Sequence, residues 1–307
     1  MEISEKLKER FCKDCNIPIK LFMEPFFTNR LIALNPFYNS YAKYLTFIEE
    51  YKKAGYKNEQ EYFEEYNKIK DNAMDFIKNN KAYQEFNSCD MSKFSINAKL
   101  PSNDIYKPSN DGRKFISIDM KKANFSSLYH YNPAIFDNCS SWEEFISKFT
   151  NNQHIKNSKY IRQVILGNCN PKRHITYEKY LTYKLLEYLM AIFDIKVEYF
   201  SNDEIVLEYT NNDIENKVAD FIKANNIEFR VTRFTLYKIE NTDGYYKEIE
   251  TDNNPIYEFK SLDSFSLPLV VRAAVGEEPC DLDNYFIAEG RLAKFIEPIK
   301  INIPKLI

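Results

Sequence analysis

Residues 115–129 read FISIDMKKANFSSLY, an apolar run that closes on a lone carboxylate, Asp119. A second acidic pair, Asp203 and Glu204, stands in the SNDE connection between the apolar runs KVEYF and IVLEYT. Between them in the chain lies SKYIRQVIL, where Lys159, Arg162 and Gln163 fall at spacings of three and four. Carboxylates gathered within a few ångströms repel one another unless a cation sits between them, and oxygen-only ligands suit Mg2+ or Mn2+. Two such ions would activate an attacking hydroxyl and neutralise a leaving phosphate. The basic residues supply the complementary half. A guanidinium at Arg162 can grip phosphate with two hydrogen bonds, and Lys159 adds a point charge. Gly167 and Asn168 would end that helix, leaving Lys172 and Arg173 on a loop as further phosphate or template contacts.

Each feature also has a plainer reading. An Asp often ends a strand because its side chain bonds the turning backbone, and acidic pairs are common in hairpin turns. Basic residues at helical spacing often form a solvated face, and Phe125 and Tyr129 suit core packing. The elements around these residues decide whether they can meet.

FISID reads as a short buried strand and YEKYLTYKLLEYLMAIF (177–193) as an amphipathic helix. KVEYF and IVLEYT flank a tight turn, NDIENKVADFIKANN reads as a helix with Asn or Asp at its start, and EFRVTRFTLYKI alternates as a strand. The order is β, α, β, β, α, β. That pattern predicts an α+β fold of the split βαβ, or ferredoxin-like, kind, with strands one and three adjacent at the centre of an antiparallel sheet. Such a sheet carries Asp119 and the SNDE turn to the same edge.

The three stretches resemble the motifs of palm-domain nucleic acid polymerases and nucleotidyltransferases. SIDMKKANFSSLY is similar to motif A, close to the reverse transcriptase pattern. KYIRQVILGN resembles motif B, the nucleotide-binding helix of replicative DNA polymerases, and EYFSNDEIVLEY resembles motif C. They occur in the order A, B, C over about residues 114–240. The resemblance implies that Asp119 and Asp203 bind Mg2+ or Mn2+ and that Glu204 takes a third acidic position. It also implies that Asn124 or Phe125 lies under the ribose, and that Lys159, Arg162 and Gln163 hold a triphosphate. Nucleoside triphosphates and a nucleic acid primer or template are the partners it implies, with a protein partner beside them. Asn-Asp-Glu in place of two consecutive aspartates, and Asn124 at a usually aromatic position, leave the subfamily and the sugar preference open. A rival reading is a non-catalytic ferredoxin-like or degenerate-palm module that binds nucleic acid or serves as a viral or phage structural or interaction protein. A cyclase-like palm acting on nucleotides without a template is a third. RNA-binding sheets place aromatics on their central strands, whereas acids stand at the strand ends here.

The remaining sequence frames this centre. Residues 1–110 read as a helical, fingers-like or accessory region, with helices over AKYLTFIEEYKKAG and EQEYFEEYNKIKDNAMDFIKNN and a Ser-, Asn-, Asp- and Pro-rich loop over 84–113. Residues 111–242 form the palm-like unit. Residues 243–307 form a thumb- or clamp-like extension with a hairpin, YYKEIETDNNPIYEF, followed by an irregular tail containing SLPLVVRAAVGEEP. The aromatic stretch LFMEPFFTNRLIALNPFYNSY serves either as core or as a base-stacking surface.

A net charge of −3 and a pI near 5.8 exclude a global positive field, so nucleic acid binding must rest on local basic patches. That suits a short-product, partner-dependent or template-independent enzyme better than a free-standing processive one. Only 6 glycines, with abundant Asn and Lys, suggest an AT-rich coding genome, as in many viruses and phages. Six cysteines without a secretory leader predict reduced thiols, and no apolar run approaches the roughly 20 residues of a membrane span. The expectation is a cytoplasmic protein, or one of host cytoplasm or virion if viral. FCKDC is half of a zinc site with no second pair to complete it, and neither GxxxxGK[ST] nor GxGxxG occurs.

Overall fold

The computed structural model describes residues 3–210, 213–297 and 299–307. Five helices open the chain: α1 (Glu5–Asp14), α2 (Phe26–Tyr38), α3 (Ser40–Ala54), α4 (Glu59–Asn79) and α5 (Lys81–Ser88). Their ends follow from local chemistry. Asn58 Oδ1 accepts a hydrogen bond from the Glu61 amide at 3.0 Å and so caps α4. Gly55, at φ +74°, closes α3 in the left-handed region that a side chain would resist. Helix α5 runs into the stretch whose composition predicts a loop from residue 84, because Ala82, Tyr83 and Phe86 bury one face.

The central segment follows as β1 (Lys114–Met120), α6 (Ala123–Tyr131), α7 (Trp142–Ile146), α8 (Gln153–Asn157), α9 (Lys159–Gly167) and α10 (Pro171–Met190). It continues through β2 (Val197–Phe200), β3 (Glu204–Glu208), α11 (Ile214–Asn225) and β4 (Phe229–Lys238). Asp213 precedes α11 without a side-chain cap bond, and Asn212, the other candidate cap, lies outside the described residues. The last segment holds β5 (Tyr245–Ile249), β6 (Ile256–Lys260), α12 (Leu267–Val275), β7 (Tyr285–Ala288) and β8 (Arg291–Lys294).

The fold is α+β. Six strands form one antiparallel sheet in the order β2-β3-β1-β4-β5-β6, and β7 and β8 pair separately. The predicted hairpin therefore extends the main sheet as β5 and β6. The expectation of an irregular tail fails at SLPLVVRAAV, which folds as α12. Pro268 sits in its first turn and Gly276, at φ +75°, ends it, which is the usual punctuation of a helix.

Alternation along the strands gives the sheet two unlike faces. Ile116, Ile118 and Met120 of β1, with Ile205 and Leu207 of β3, join the main core, which also takes Leu181, Leu185 and Leu189 from α10. Burying each such side chain contributes about 1.5–3 kcal/mol. That cluster is continuous across residue 110, from Ile3 and Leu7 of the N-terminal helices to Val271 of α12. The other face carries a small cluster of Phe115, Val206, Phe234, Leu236 and Tyr245 under Ile105, and charged residues elsewhere. Among the described residues no helix is long and apolar enough to cross a membrane.

Candidate functional site

Asp119 stands near the end of β1, just before a turn in which Lys122 takes φ +49° and α6 begins. Its position on the charged face follows from the strand period, because Phe115 and Ser117 share that face. Across the β1–β3 pair the residue directly opposite Asp119 is Glu204. Opposed residues of an antiparallel pair point the same way, with Cα atoms about 4.5–5.5 Å apart. Glu204 is held in turn by the Ser117 hydroxyl, which donates to its Oε1 at 2.6 Å.

Asp203 occupies the next position, its carbonyl accepting from the Met120 amide at 2.8 Å. It lies in the turn just before β3, where its charge acts on Glu178 of α10 and on Asp119. The turn itself is pinned from α10. The Thr182 hydroxyl donates to the Asn202 carbonyl at 2.9 Å, and Asn202 Nδ2 donates to Glu178 Oε2 at 2.8 Å. Ser201 Oγ donates to Asp203 Oδ1 at 3.1 Å and accepts from the Glu204 amide at 3.0 Å.

The electrostatics record this crowding. Burial pushes the Asp119 carboxyl up to about 6; Arg230 opposes the rise, Glu204 and Asp203 add to it, and Lys159 opposes it again. Burial likewise raises Glu178 to about 7, against the Asn202 hydrogen bond and with the help of Asp203. Arg230 lies opposite Asp119 on β4 and reaches its Oδ2 with Nη2 at 3.3 Å. On β5 the Lys247 amine lies 4.3 Å from the Phe234 ring centroid, and burial lowers its pKa while Glu204 raises it.

Among the described residues no group of three His, Cys, Asp or Glu side chains is gathered so as to hold a metal ion. Asp119 and Glu204 oppose each other across the sheet, while Asp203, in the turn before β3, acts electrostatically on both Asp119 and Glu178. The opposed pair shares a face. Two carboxylates with water and substrate phosphates completing the shell are an ordinary set for Mg2+, so the donor set fits a divalent ion without forming a protein cage.

Helix α9 delivers only its first residue to this centre. Ser158 caps it, accepting from the Ile161 amide at 3.0 Å and donating to the buried Asp14 at 2.7 Å. Asp14 also accepts from Tyr66 at 3.0 Å and pairs with His154 at 3.2 Å, so the N-terminal helices fix where Lys159 starts. Lys159 lines a cavity of about 700 Å3 beside Asp119. Arg162 and Gln163, predicted to share the Lys159 face toward a triphosphate, do not line it. Arg162 is largely buried, its Nε without a partner among the described residues; burial lowers its pKa and Glu143 is its opposing charge. Gln163 is exposed farther along the helix. The cavity touches only the N-terminal end of α9, and spacing on a helix says nothing about where along the axis a ligand lies.

Three more expectations need correction or refinement. Lys172 and Arg173 are not on a loop, because α10 begins at Pro171. Lys172 is exposed there, while the Arg173 guanidinium donates to the carbonyls of Phe86 and Cys89 and so pins α10 to α5. Phe125 is 4% exposed, packed on Tyr129, Phe136 and Trp142, and it also lines a 310 Å3 pocket with Lys121 and Lys122. It is a core ring, and Asn124 is half-buried in the first turn of α6. Lys121 and Lys122 pair with Glu228 and Glu143 on the surface.

Sequence reasoning missed Arg230, Lys247 and Glu178. The alternation of FRVTRF could have placed Arg230 on the face of Asp119 once the strand register was known. No family model, no curated protein and no solved structure matches this chain.

Proposed function

We propose that the protein is a nucleotidyltransferase with a ferredoxin-like, polymerase-type palm. The observation that carries this reading is the cross-strand pair Asp119 and Glu204 at the ends of β1 and β3, with Arg230 joining Asp119 to a cationic cavity. The strand order β2-β3-β1-β4 with helices on the other face supports it, as does the A, B, C order of the motifs. In the reaction a 3′-hydroxyl attacks the α-phosphorus of a nucleoside triphosphate. One phosphorus–oxygen bond forms, the α–β anhydride breaks, the hydroxyl proton departs and pyrophosphate leaves.

Asp119 and Glu204 would hold Mg2+ or Mn2+, which lowers the cost of the attacking oxyanion and of the leaving phosphate. Ser117 orients Glu204, while Thr182 and Glu178 hold the turn behind it. Lys159 and Arg230 neutralise phosphate oxygens. A primer or template and a protein partner belong to this proposal too.

A second reading has one observation in its favour. Arg230 already satisfies Asp119, as a degenerate palm kept for nucleic acid binding or for a viral interaction would have it. Incorporation of labelled triphosphates with Mg2+ or Mn2+, with and without primed template, separates the two. Activity that disappears in Asp119→Asn and Glu204→Gln supports the transferase. No wild-type product with any triphosphate refutes it in favour of the binding module.

A further inference from the structure

The cavity beside Asp119 carries more charge than the carboxylate pair needs. Five cations line it: Lys13 near the end of α1, Lys20 in the segment that follows, Lys159, Arg230, and Lys260 at the end of β6. Glu9 and Glu258 are the carboxylates that line it, in a chain whose overall charge is negative. Lys13, Arg230 and Lys260 share carboxylates, with Glu9 at 2.7 Å, Asp119 at 3.3 Å and Glu258 at 2.9 Å. Lys20 and Lys159 make no ion pair among the described residues. A cluster of like charges from four separate parts of the chain repels itself, and an anion relieves that repulsion.

Five aromatic rings also line it, Phe22, Phe37, Tyr38, Tyr257 and Phe259, beside the small and aliphatic residues from Cys12 to Ile19. Phe37 and Phe259 meet edge to face with centroids 5.0 Å apart. The first three come from the stretch whose sequence allowed either core or stacking surface; they pack against the main core and also line this cavity. A cavity of about 700 Å3 lies within the range of small-ligand sites, about 300–1,000 Å3.

We propose that this cavity binds a nucleoside triphosphate, with the phosphates among the five cations and the base against the aromatic wall. The inference deepens the function proposed above and rests on it for the reaction, while the binding step can be measured alone. Arg230 belongs to both parts. A phosphate that engages its guanidinium draws it from Asp119, so nucleotide arrival frees the carboxylate for the metal.

The test is calorimetric titration of the full chain with ATP and dATP in Mg2+, for wild type, Lys20→Ala, Lys260→Ala and Lys20→Arg. These side chains are exposed or half-exposed, so the variants keep the core, and circular dichroism checks it. Each alanine should weaken binding about 5- to 10-fold, the worth of one charge-assisted contact, and arginine should restore most of it. Lys53→Ala, on the outer face of α3, should change nothing. Absence of saturable triphosphate binding overturns the proposal, as does binding indifferent to Lys20 and Lys260. A second cavity of about 430 Å3 shares Asn16 and Lys159 with the first, and a strand would run into it. A short single-stranded oligonucleotide that binds where triphosphates do not would therefore reassign the cavity to a polymer. Binding without incorporation leaves this site standing and removes the transferase. Incorporation with lysine-insensitive binding does the reverse.

Discussion

Replacing Arg230 by alanine separates a structural ion pair from one that guards a metal site. The pair is a single contact at 3.3 Å between side chains 61% and 35% exposed, and such pairs contribute roughly 0.2–1 kcal/mol. Arg230→Ala should therefore lower the melting temperature by no more than about 3 °C. Its effect on metal binding should be larger than its effect on stability. A divalent ion held by Asp119 would lie roughly 5 Å from the guanidinium, adding about 2.1 Å of metal–oxygen bond to the observed contact. Charges of +2 and +1 at that distance repel by about 1.7 kcal/mol in water, and by about half that at physiological salt. Removing the arginine should tighten Mn2+ about 5- to 15-fold in the absence of nucleotide. Titration followed by the electron paramagnetic resonance of free Mn2+ reads this directly. Unchanged or weaker Mn2+ binding in Arg230→Ala refutes the reasoning, and so does a gain that persists when Asp119→Asn is added.

Other consequences concern the scaffold. Leu185→Ala empties a fully buried position on α10 and should cost about 2–5 kcal/mol in urea unfolding. Ser158→Ala removes the cap of α9 and a donor to Asp14, which should cost about 1–2 kcal/mol and weaken triphosphate binding through Lys159. Burial alone would depress the His154 imidazole, but hydrogen bonds to Asp14 and Cys15 and the charge of Asp14 override it and hold its pKa at about 9. Because that lies above the unfolded value of about 6.5, the pair's contribution is complete below pH 6.5 and disappears as pH rises through 9, about 3 kcal/mol at most. Unfolding free energies of wild type and His154→Ala should converge across that window, and parallel pH profiles would contradict the assignment.

Much of this molecule was legible from local pattern. FISID, IVLEY and EFRVTRFTLYKI gave strands because their apolar residues alternate or run short between turn residues, and the long periodic stretches gave α4 and α10. Gly55 marked a helix end because the left-handed backbone it takes involves only a few neighbours. The placement of Asp119 at the end of a central strand beside the SNDE turn followed from connectivity alone.

Local pattern failed wherever the answer depended on what packs against a residue. Phe125 and Arg173 have the residue types of a nucleotide site, yet neighbouring aromatics enclose one and two backbone carbonyls occupy the other. Arg162 shares a helix with Lys159 but lies one turn along the axis, in a buried setting near Glu143.

The sequence by itself determined the elements, their order and the carboxylates they carry, because those depend on periodicity and turn chemistry within short windows. Tertiary structure decided which carboxylates face each other. A strand register is set by pairing across the sheet, and a shift of one residue exchanges Glu204 for Asp203. It also decided that Lys13, Lys20, Arg230 and Lys260, from distant parts of the chain, surround one cavity with Lys159. Charge convergence of that kind is a property of packing, and no window of sequence contains it.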